Sequence, residues 1–267
     1  MEEIEQQPAD RGRLTNVPWT IADMALGAAV AIGVFVVVFI VSALLSIVII
    51  GPEIFQQILD AGYAEAFAIL ESEGVLNAFL ILSIVVAVIG EGGMPLGAWL
   101  FGMRKYHRGW QALGFRNFNI KKGLLLSVAV VALGILINIL YELLLGGAES
   151  QTSTEALTES GLGMAYLVIL AVIVAPIAEE TFFRGFIFTG ISKRWGYSWG
   201  VVISGALFAV AHVLNVALYP SEAATLVPIF ILGMLLAWLY KRTGSLWPCI
   251  FAHFAYNSLA LLFMVIY

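Results

Sequence analysis

Residues 22–50 read ADMALGAAVAIGVFVVVFIVSALLSIVII, a run in which Asp23 is the only charged side chain. About 20 consecutive apolar residues are enough for a helix to cross the hydrocarbon core of a bilayer. The run follows a polar tail, residues 1–21, and it is longer than the roughly 7–15 apolar residues of a signal peptide. We therefore expect it to stay attached as a membrane-spanning helix.

The rest of the chain is similarly apolar. Hydrophobic residues make up 61% of the 267 positions and charged residues 12%, with a mean hydropathy of +0.96. Such values are typical of an integral, multi-pass membrane protein, which in a prokaryote would lie in the plasma membrane. The prediction is an all-α, polytopic transmembrane helical bundle of about seven spans, with membrane lipids and no nucleic acid among its partners. The predicted spans are 22–50, 75–103, 123–146, 161–190, 198–219, 226–240 and 246–267.

Charges of opposite sign occupy alternate connections between these spans. The cations fall at Arg11, Arg13, Arg104, Lys105, Arg108, Arg116, Lys121, Lys122, Lys193, Arg194, Lys241 and Arg242. The connections 51–74, 147–160 and 220–225 contain acids and neither lysine nor arginine. Because cytoplasmic loops carry the excess of lysine and arginine, this pattern predicts a cytoplasmic N-terminus. Arg184 is the one cation left within a span.

The first outer connection has an amphipathic pattern. Its apolar residues recur at spacings of three and four, which predicts a surface helix over residues 53–71. No repeat or long flexible linker divides the chain, so we expect one folding unit with three regions. They are a cytoplasmic tail (1–21), N-terminal spans with a basic loop (22–122) and a C-terminal core (123–267).

The segment APIAEETFFRG, residues 175–185, places three charges inside the fourth span. Each charge costs about 2.5–3.5 kcal/mol at mid-membrane when it has no partner. Glu180 and Arg184 are four residues apart on one helix face, so we expect them to form a structural ion pair. Glu179 lies about 100° around the helix from Glu180 and must face another neighbour. A carboxylate without a cation partner is available to act as a general base.

Two of the three histidines also lie in predicted spans, at His212 and His253. Phe208 is one helical turn before His212, and Asn257 is one turn after His253, so each pair shares a helix face. Phe208 is expected to serve mainly in packing, and the Asn257 amide has a plain alternative role as a hydrogen-bond partner of a neighbouring helix. Polar groups inside a span normally face the bundle interior. These faces and Glu179 are therefore predicted to converge on one cavity.

Glu91 is a further carboxylate in the second predicted span. It is followed directly by Gly92 and Gly93, which are poor helix formers. We expect Glu91 either to line the same cavity or to mark a break in its helix.

The three motifs together resemble those of the CPBP intramembrane proteases, a family of CAAX prenyl proteases and bacteriocin-processing proteins. That family is marked by EExxxR, FxxxH and HxxxN in this order. Here the motifs read EETFFR at 179–184, FAVAH at 208–212 and HFAYN at 253–257. The resemblance covers roughly residues 125–260, and it implies proteolysis within the membrane.

The resemblance also implies a role for each matched residue. Glu179 and His212 would activate water, and His253 with Asn257 would stabilise the oxyanion. Hydrogen-bond donors aimed at a developing oxyanion are well suited to acyl transfer in a low-dielectric site. Glu179, His212 and His253 are equally a His₂Glu ligand set for zinc with one open position. Because HExxH is absent but dispersed ligands are legitimate, the sequence leaves both mechanisms open.

The predicted function is therefore an intramembrane endopeptidase that acts on membrane-associated proteins or peptides, including prenylated CAAX-type substrates. Two other classes remain as alternatives. Membrane acids and histidines also form proton relays, so a proton-coupled transporter is one. A non-catalytic scaffold or bacteriocin immunity protein is the other. Composition and motifs predict no oligomeric state.

Overall fold

The computed structural model describes residues 16–61, 63–72, 74–145, 161–213 and 225–266. Secondary structure in these ranges is helical, with no strand, which confirms the predicted all-α class. The helices are α1 (Ile21–Ile50), α2 (Pro52–Ala61), α3 (Tyr63–Ser72), α4 (Leu76–Tyr106), α5 (Ile120–Leu145), α6 (Gly161–Trp195), α7 (Tyr197–Ala211), α8 (Leu226–Thr243) and α9 (Trp247–Ile266).

Six of these helices are long and apolar enough to cross a membrane, namely α1, α4, α5, α6, α8 and α9. Helix α7 is apolar but shorter, and it corresponds to the predicted span 198–219, whose residues 214–219 lie outside the described ranges. Large apolar side chains are exposed along these helices, as at Val48 and Leu144, both 79% exposed. Such surfaces require lipid rather than water around them. The protein is an integral, multi-pass membrane protein.

Some predicted features fall on residues that the structure does not describe. Residues 1–15 of the predicted tail and the acidic connections 147–160 and 220–224 are outside the described ranges. The cytoplasmic placement of the N-terminus and the division into three regions stay predictions.

The predicted surface helix 53–71 is helical on both sides of Gly62, which lies outside the described residues. Helix α2 is described to Ala61 and helix α3 from Tyr63. Ile54, Phe55 and Ile58 form the half-buried side of α2, as its apolar spacing predicted.

Helices α1 and α4 cross in backbone contact. A Cβ atom added at Gly97 of α4 would collide with the carbonyl oxygen and Cα of Gly27 in α1. Small residues at such crossings allow helices in lipid to approach closely, and van der Waals packing then holds them together. The two N-terminal spans therefore form a tight pair.

This crossing predicts the effect of an alanine substitution. Gly97→Ala should destabilise the protein by roughly 1–3 kcal/mol because the opposing atoms are backbone and cannot rotate away. Gly33→Ala is the matched control, since a Cβ atom at Gly33 of α1 meets nothing within 4 Å. Thermal unfolding in detergent micelles should show a lower Tm for Gly97→Ala alone. Equal Tm values for the two variants would contradict this crossing.

Helix α6 is the centre of the bundle. Every residue from Ala178 to Ser192 is buried. One apolar cluster packs this helix against α1 and α4, and a second joins Phe188 of α6 to α5, α8 and α9. Trp19, just before α1, is buried and donates from its indole N–H to the carbonyl of Phe186 at 3.0 Å. The N-terminal part of the chain thus covers one side of α6, and the later helices cover another.

Helix α6 is not a regular α-helix throughout. Its hydrogen bonds widen into π turns at Val168–Val174 and again at Glu180–Phe188, with α-helix at Ala175–Glu179 between them. Local π turns inside α-helices are uncommon and are frequent at functional sites. The charged motif of the fourth predicted span begins where the second π segment starts.

Candidate active site

The ion pair predicted from sequence spacing is present. An Nη1 atom of Arg184 lies 2.7 Å from Oε1 of Glu180, and both side chains are completely buried. Arg184 also donates from Nη2 to the carbonyl of Gly233 in α8 at 3.1 Å. Its guanidinium carbon lies 4.4 Å from the centre of the Phe208 ring. Arg184 therefore neutralises Glu180 and ties α6 to α7 and α8.

One imidazole lies between two glutamates. Nδ1 of His253 is 2.9 Å from Oε1 of Glu180, and Nε2 of the same ring is 3.7 Å from Oε2 of Glu179. Since a carboxylate only accepts, Nδ1 carries a proton in this hydrogen bond. The predicted neighbour of Glu179 is thus the His253 ring. The bond between His253 and Glu180 was not predicted, because spacing along α6 says nothing about which side of α9 faces it.

Glu179 is held in an unusual environment for a carboxylate. Its side chain is 9% exposed, and Oε2 is buried without a hydrogen-bond partner among the described residues. Its separation from His253 Nε2 exceeds a direct hydrogen bond. A buried acceptor normally has a partner, so each of the few unpaired atoms in the described structure, this one among them, needs an explanation.

Glu91 joins this group from α4. Its Oε2 atom is also buried without a hydrogen-bond partner in the described part of the chain, and it interacts electrostatically with Glu179. The α-helical turns of α4 end at Glu91 and resume at Gly93. The helix interruption expected at Glu91 is present, and a role for Glu91 in lining a cavity stays a prediction.

His212 follows the last residue of α7 and bonds to its own helix. Its Nδ1 atom is 2.8 Å from the carbonyl oxygen of Phe208. Because a carbonyl only accepts, Nδ1 is assigned the proton, which leaves Nε2 as an acceptor in the neutral ring. Across the described residues, no hydrogen bond or ion pair joins His212 to Glu179. The structure brings Glu179 and His253 together, and it places His212 beside Phe208.

The Phe208 ring links the two histidines. Its centre is 4.9 Å from that of His212 and 5.8 Å from that of His253, and the side chain is buried. With the Arg184 guanidinium also against this ring, Phe208 fixes the spacing of three polar groups. The expected packing role of Phe208 is therefore what the structure shows.

Asn257 lies one turn after His253 and contacts α6. Its Nδ2 atom donates to the carbonyl oxygen of Ala171 at 2.7 Å. Ala171 belongs to the first π segment of α6, where the wider turn alters the backbone hydrogen bonding. This contact is the hydrogen bond to a neighbouring helix that the sequence offered as the alternative to an oxyanion role. It uses one of the two protons of the Asn257 amide.

The residues proposed as zinc ligands do not form a ready-made set. Throughout the described ranges, no three His, Cys, Asp or Glu side chains are arranged so that they could hold a metal ion. The two ring nitrogens of His253 already face Glu180 and Glu179. The residues present thus do not fit a zinc site in this conformation, and a zinc requirement stays a prediction.

These features define a buried carboxylate and imidazole site within a membrane helical bundle, and comparison with known proteins indicates its class. Residues 161–259 match the family described as "Type II CAAX prenyl endopeptidase Rce1-like". This match supports the resemblance to the CPBP family drawn from the motifs. The match contains Glu179 to Asn257 but begins at Gly161, later than the predicted start near residue 125.

A curated relative supports the same class. The chain is 29% identical over 133 residues to the "Putative membrane peptidase YdiL" of Bacillus subtilis (strain 168). The aligned region covers 49% of this chain, and the chain spans about half the length of that relative, 50%. No solved structure matches the chain significantly.

Proposed function

We propose that this protein is an intramembrane endopeptidase in which Glu179 activates water to hydrolyse a peptide bond of a membrane-associated protein or peptide. The observation that carries the proposal is the buried, unpaired Oε2 of Glu179 beside the Nε2 atom of His253. The family match of residues 161–259 and the membrane peptidase relative support the choice of reaction.

In the first step, the Glu179 carboxylate takes a proton from water while the water oxygen attacks the scissile carbonyl carbon. The carbonyl oxygen becomes an oxyanion in the tetrahedral intermediate. Glu179 then gives its proton to the amide nitrogen, the carbon–nitrogen bond breaks, and a carboxylic acid and an amine leave. A base placed within reach of its water in this way contributes about 10²–10⁴-fold to the rate.

His253 is proposed to stabilise the oxyanion. Its Nδ1 is held by Glu180, so as the imidazolium it directs a second N–H, at Nε2, toward the space beside Glu179. The amide proton of Asn257 that is not bound to Ala171 is a second candidate donor. Fixed donors of this kind need no reorganisation when charge develops in the transition state.

His212 is proposed to orient the attacking water. Its assigned tautomer offers Nε2 as an acceptor, and the Phe208 ring holds it on the same side of the bundle as His253. A zinc mechanism is the competing proposal, in which Glu179, His212 and His253 would have to rearrange to act as ligands.

The proposed substrates are lipidated or hydrophobic polypeptides that reach the site from the bilayer. The family description names CAAX prenyl endopeptidases, and the relative is named as a membrane peptidase. Removal of a C-terminal tripeptide from a prenylated protein and processing of an unprenylated peptide are both consistent with these names. The cleavage assay with both kinds of probe decides between these two substrate classes.

The test is a cleavage assay on the purified full chain in detergent. The probes are a farnesylated peptide ending in a CAAX sequence and a hydrophobic peptide without a prenyl group, with products identified by mass spectrometry. We expect wild type to cleave at least one probe, and His212→Ala and His253→Ala to cleave it about 10²-fold or more slowly. His107→Asn is the control, since His107 is exposed in the basic loop and should leave the rate unchanged.

A chelator arm separates the two mechanisms. Water activation by glutamate predicts full activity in the presence of a zinc chelator. Loss of activity that added zinc restores would instead establish the metal-dependent mechanism. Equal cleavage by wild type and by folded His212 and His253 variants would refute the roles assigned to these histidines. No cleavage of either probe by wild type, together with proton-driven solute uptake into liposomes, would refute the protease proposal and favour a transporter.

A further inference from the structure

A pocket separate from the candidate active site lies between the start of α5 and the end of α8. It encloses about 330 Å³ and is lined by Asn117, Phe118, Asn119, Lys122, Gly123, Arg242 and Thr243. Two cations, two amides and a hydroxyl thus surround one cavity with an aromatic wall. This chemistry suits a phosphate group.

The two basic segments that form this pocket are joined by the fold. Ser245 donates to the carbonyl of Arg116 at 2.7 Å, and the backbone N–H of Leu246 donates to the carbonyl of Gly114 at 2.8 Å. Tyr240 donates to the carbonyl of Leu113 at 3.1 Å. Residues that are more than 120 positions apart therefore lie on the same end of the bundle.

The pocket has an excess of positive charge. Segments 104–122 and 241–245 contain no aspartate or glutamate. Among the described residues, no carboxylate forms an ion pair with Lys122 or Arg242. The N-terminus of α5, a 26-residue helix capped by Asn119, adds the positive end of a helix dipole. The positive charges of Lys122 and Arg242, which no carboxylate in the described structure neutralises, are therefore available to bind an anion.

An apolar surface continues from the pocket along α5. Leu125, Leu133 and Leu136 follow Lys122 by three, eleven and fourteen residues, so they form one stripe on the helix face that carries Lys122. They are between 43% and 71% exposed. A ligand with a phosphate in the pocket and a hydrocarbon chain on this stripe would contact both the basic pocket and the apolar stripe. Free phosphate would contact only the pocket.

We propose that this pocket binds an anionic phospholipid, with its headgroup phosphate between Lys122 and Arg242 and an acyl chain along Leu125, Leu133 and Leu136. Basic pockets between transmembrane helices are known to hold anionic headgroups on the cytoplasmic side. The bound lipid bridges α5 and the turn from α8 to α9. Because α9 carries His253, occupancy stabilises the helix that bears one side of the candidate active site.

The test measures lipid binding rather than proteolysis, so its outcome is independent of the proposed enzymatic function. The full chain in neutral detergent is titrated with phosphatidylglycerol, phosphatidylcholine or inorganic phosphate, and bound lipid is counted by native mass spectrometry. Each basic residue near a membrane surface contributes about 1 kcal/mol to anionic lipid binding. Lys122→Gln with Arg242→Gln should therefore weaken phosphatidylglycerol binding roughly 25-fold.

Two further double variants serve as controls for Lys122→Gln with Arg242→Gln. Arg108→Gln with Arg194→Gln removes the same charge from exposed sites outside the pocket, and it should leave binding within about twofold of wild type. Lys122→Arg with Arg242→Lys keeps the charge and should retain binding. Equal losses in both glutamine pairs, or equal binding of phosphatidylcholine, would overturn the site. Inorganic phosphate that displaces the lipid fully at millimolar concentration would show a small-anion site instead.

Discussion

Replacing Glu179 by glutamine is expected to lower the rate of peptide cleavage by about 10²–10⁴-fold, the contribution of a general base. The amide has nearly the shape of the carboxylate but does not take a proton from water. Its Oε2 position is buried and without a hydrogen-bond partner in the described structure, so folding should not suffer. The cleavage rate and the Tm are measured on the same purified sample.

Loss of activity without loss of stability is the distinctive result. A buried carboxylate without a partner costs folding free energy, so the Tm of Glu179→Gln should equal or exceed that of wild type. Glu53→Gln makes the same change on the exposed side of α2 and should alter neither quantity. Wild-type cleavage by Glu179→Gln would remove this residue from the mechanism, whatever the stability.

Replacing Arg184 by methionine is expected to destabilise the protein by about 3–5 kcal/mol, the cost of breaking a buried ion pair on one side only. The change leaves the Glu180 carboxylate in a completely buried position without its guanidinium, and it also removes the bond to Gly233. Thermal unfolding in detergent micelles should show a large decrease in Tm, with loss of folded protein on expression.

The double variant Glu180→Gln with Arg184→Met should recover part of that loss, because no unpaired charge then remains. Arg194→Met is the matched control, since Arg194 is exposed near the end of the same helix, and its Tm should stay close to that of wild type. A Tm for Arg184→Met equal to wild type would mean that the pair contributes nothing to the fold.

The predictions that depend on a single helix agree with the structure. The spacing of Glu180 and Arg184 along α6 fixes their approach, and the ion pair is present. Hydropathy located the long helices for the same reason, since a span of about 20 apolar residues is a local property.

Contacts between helices were not predictable in the same way. Rotation of α9 about its own axis decides whether His253 meets one glutamate or two, and a single sequence does not specify that rotation. The π turns of α6 also shift the direction of every later side chain relative to a regular helix. For these reasons the bond from His253 to Glu180 emerges only from the structure.

The Trp19 indole bonded to the Phe186 carbonyl has a consequence for how this chain is divided. The region that matches the peptidase family starts at Gly161, yet one flank of its central helix is sheltered by residues that precede that point by more than one hundred positions. Without those residues, the matched region would lose the Trp19 ring that packs against Phe186. The matched region is therefore packed against the chain that precedes it, and the first two spans complete one side of its core.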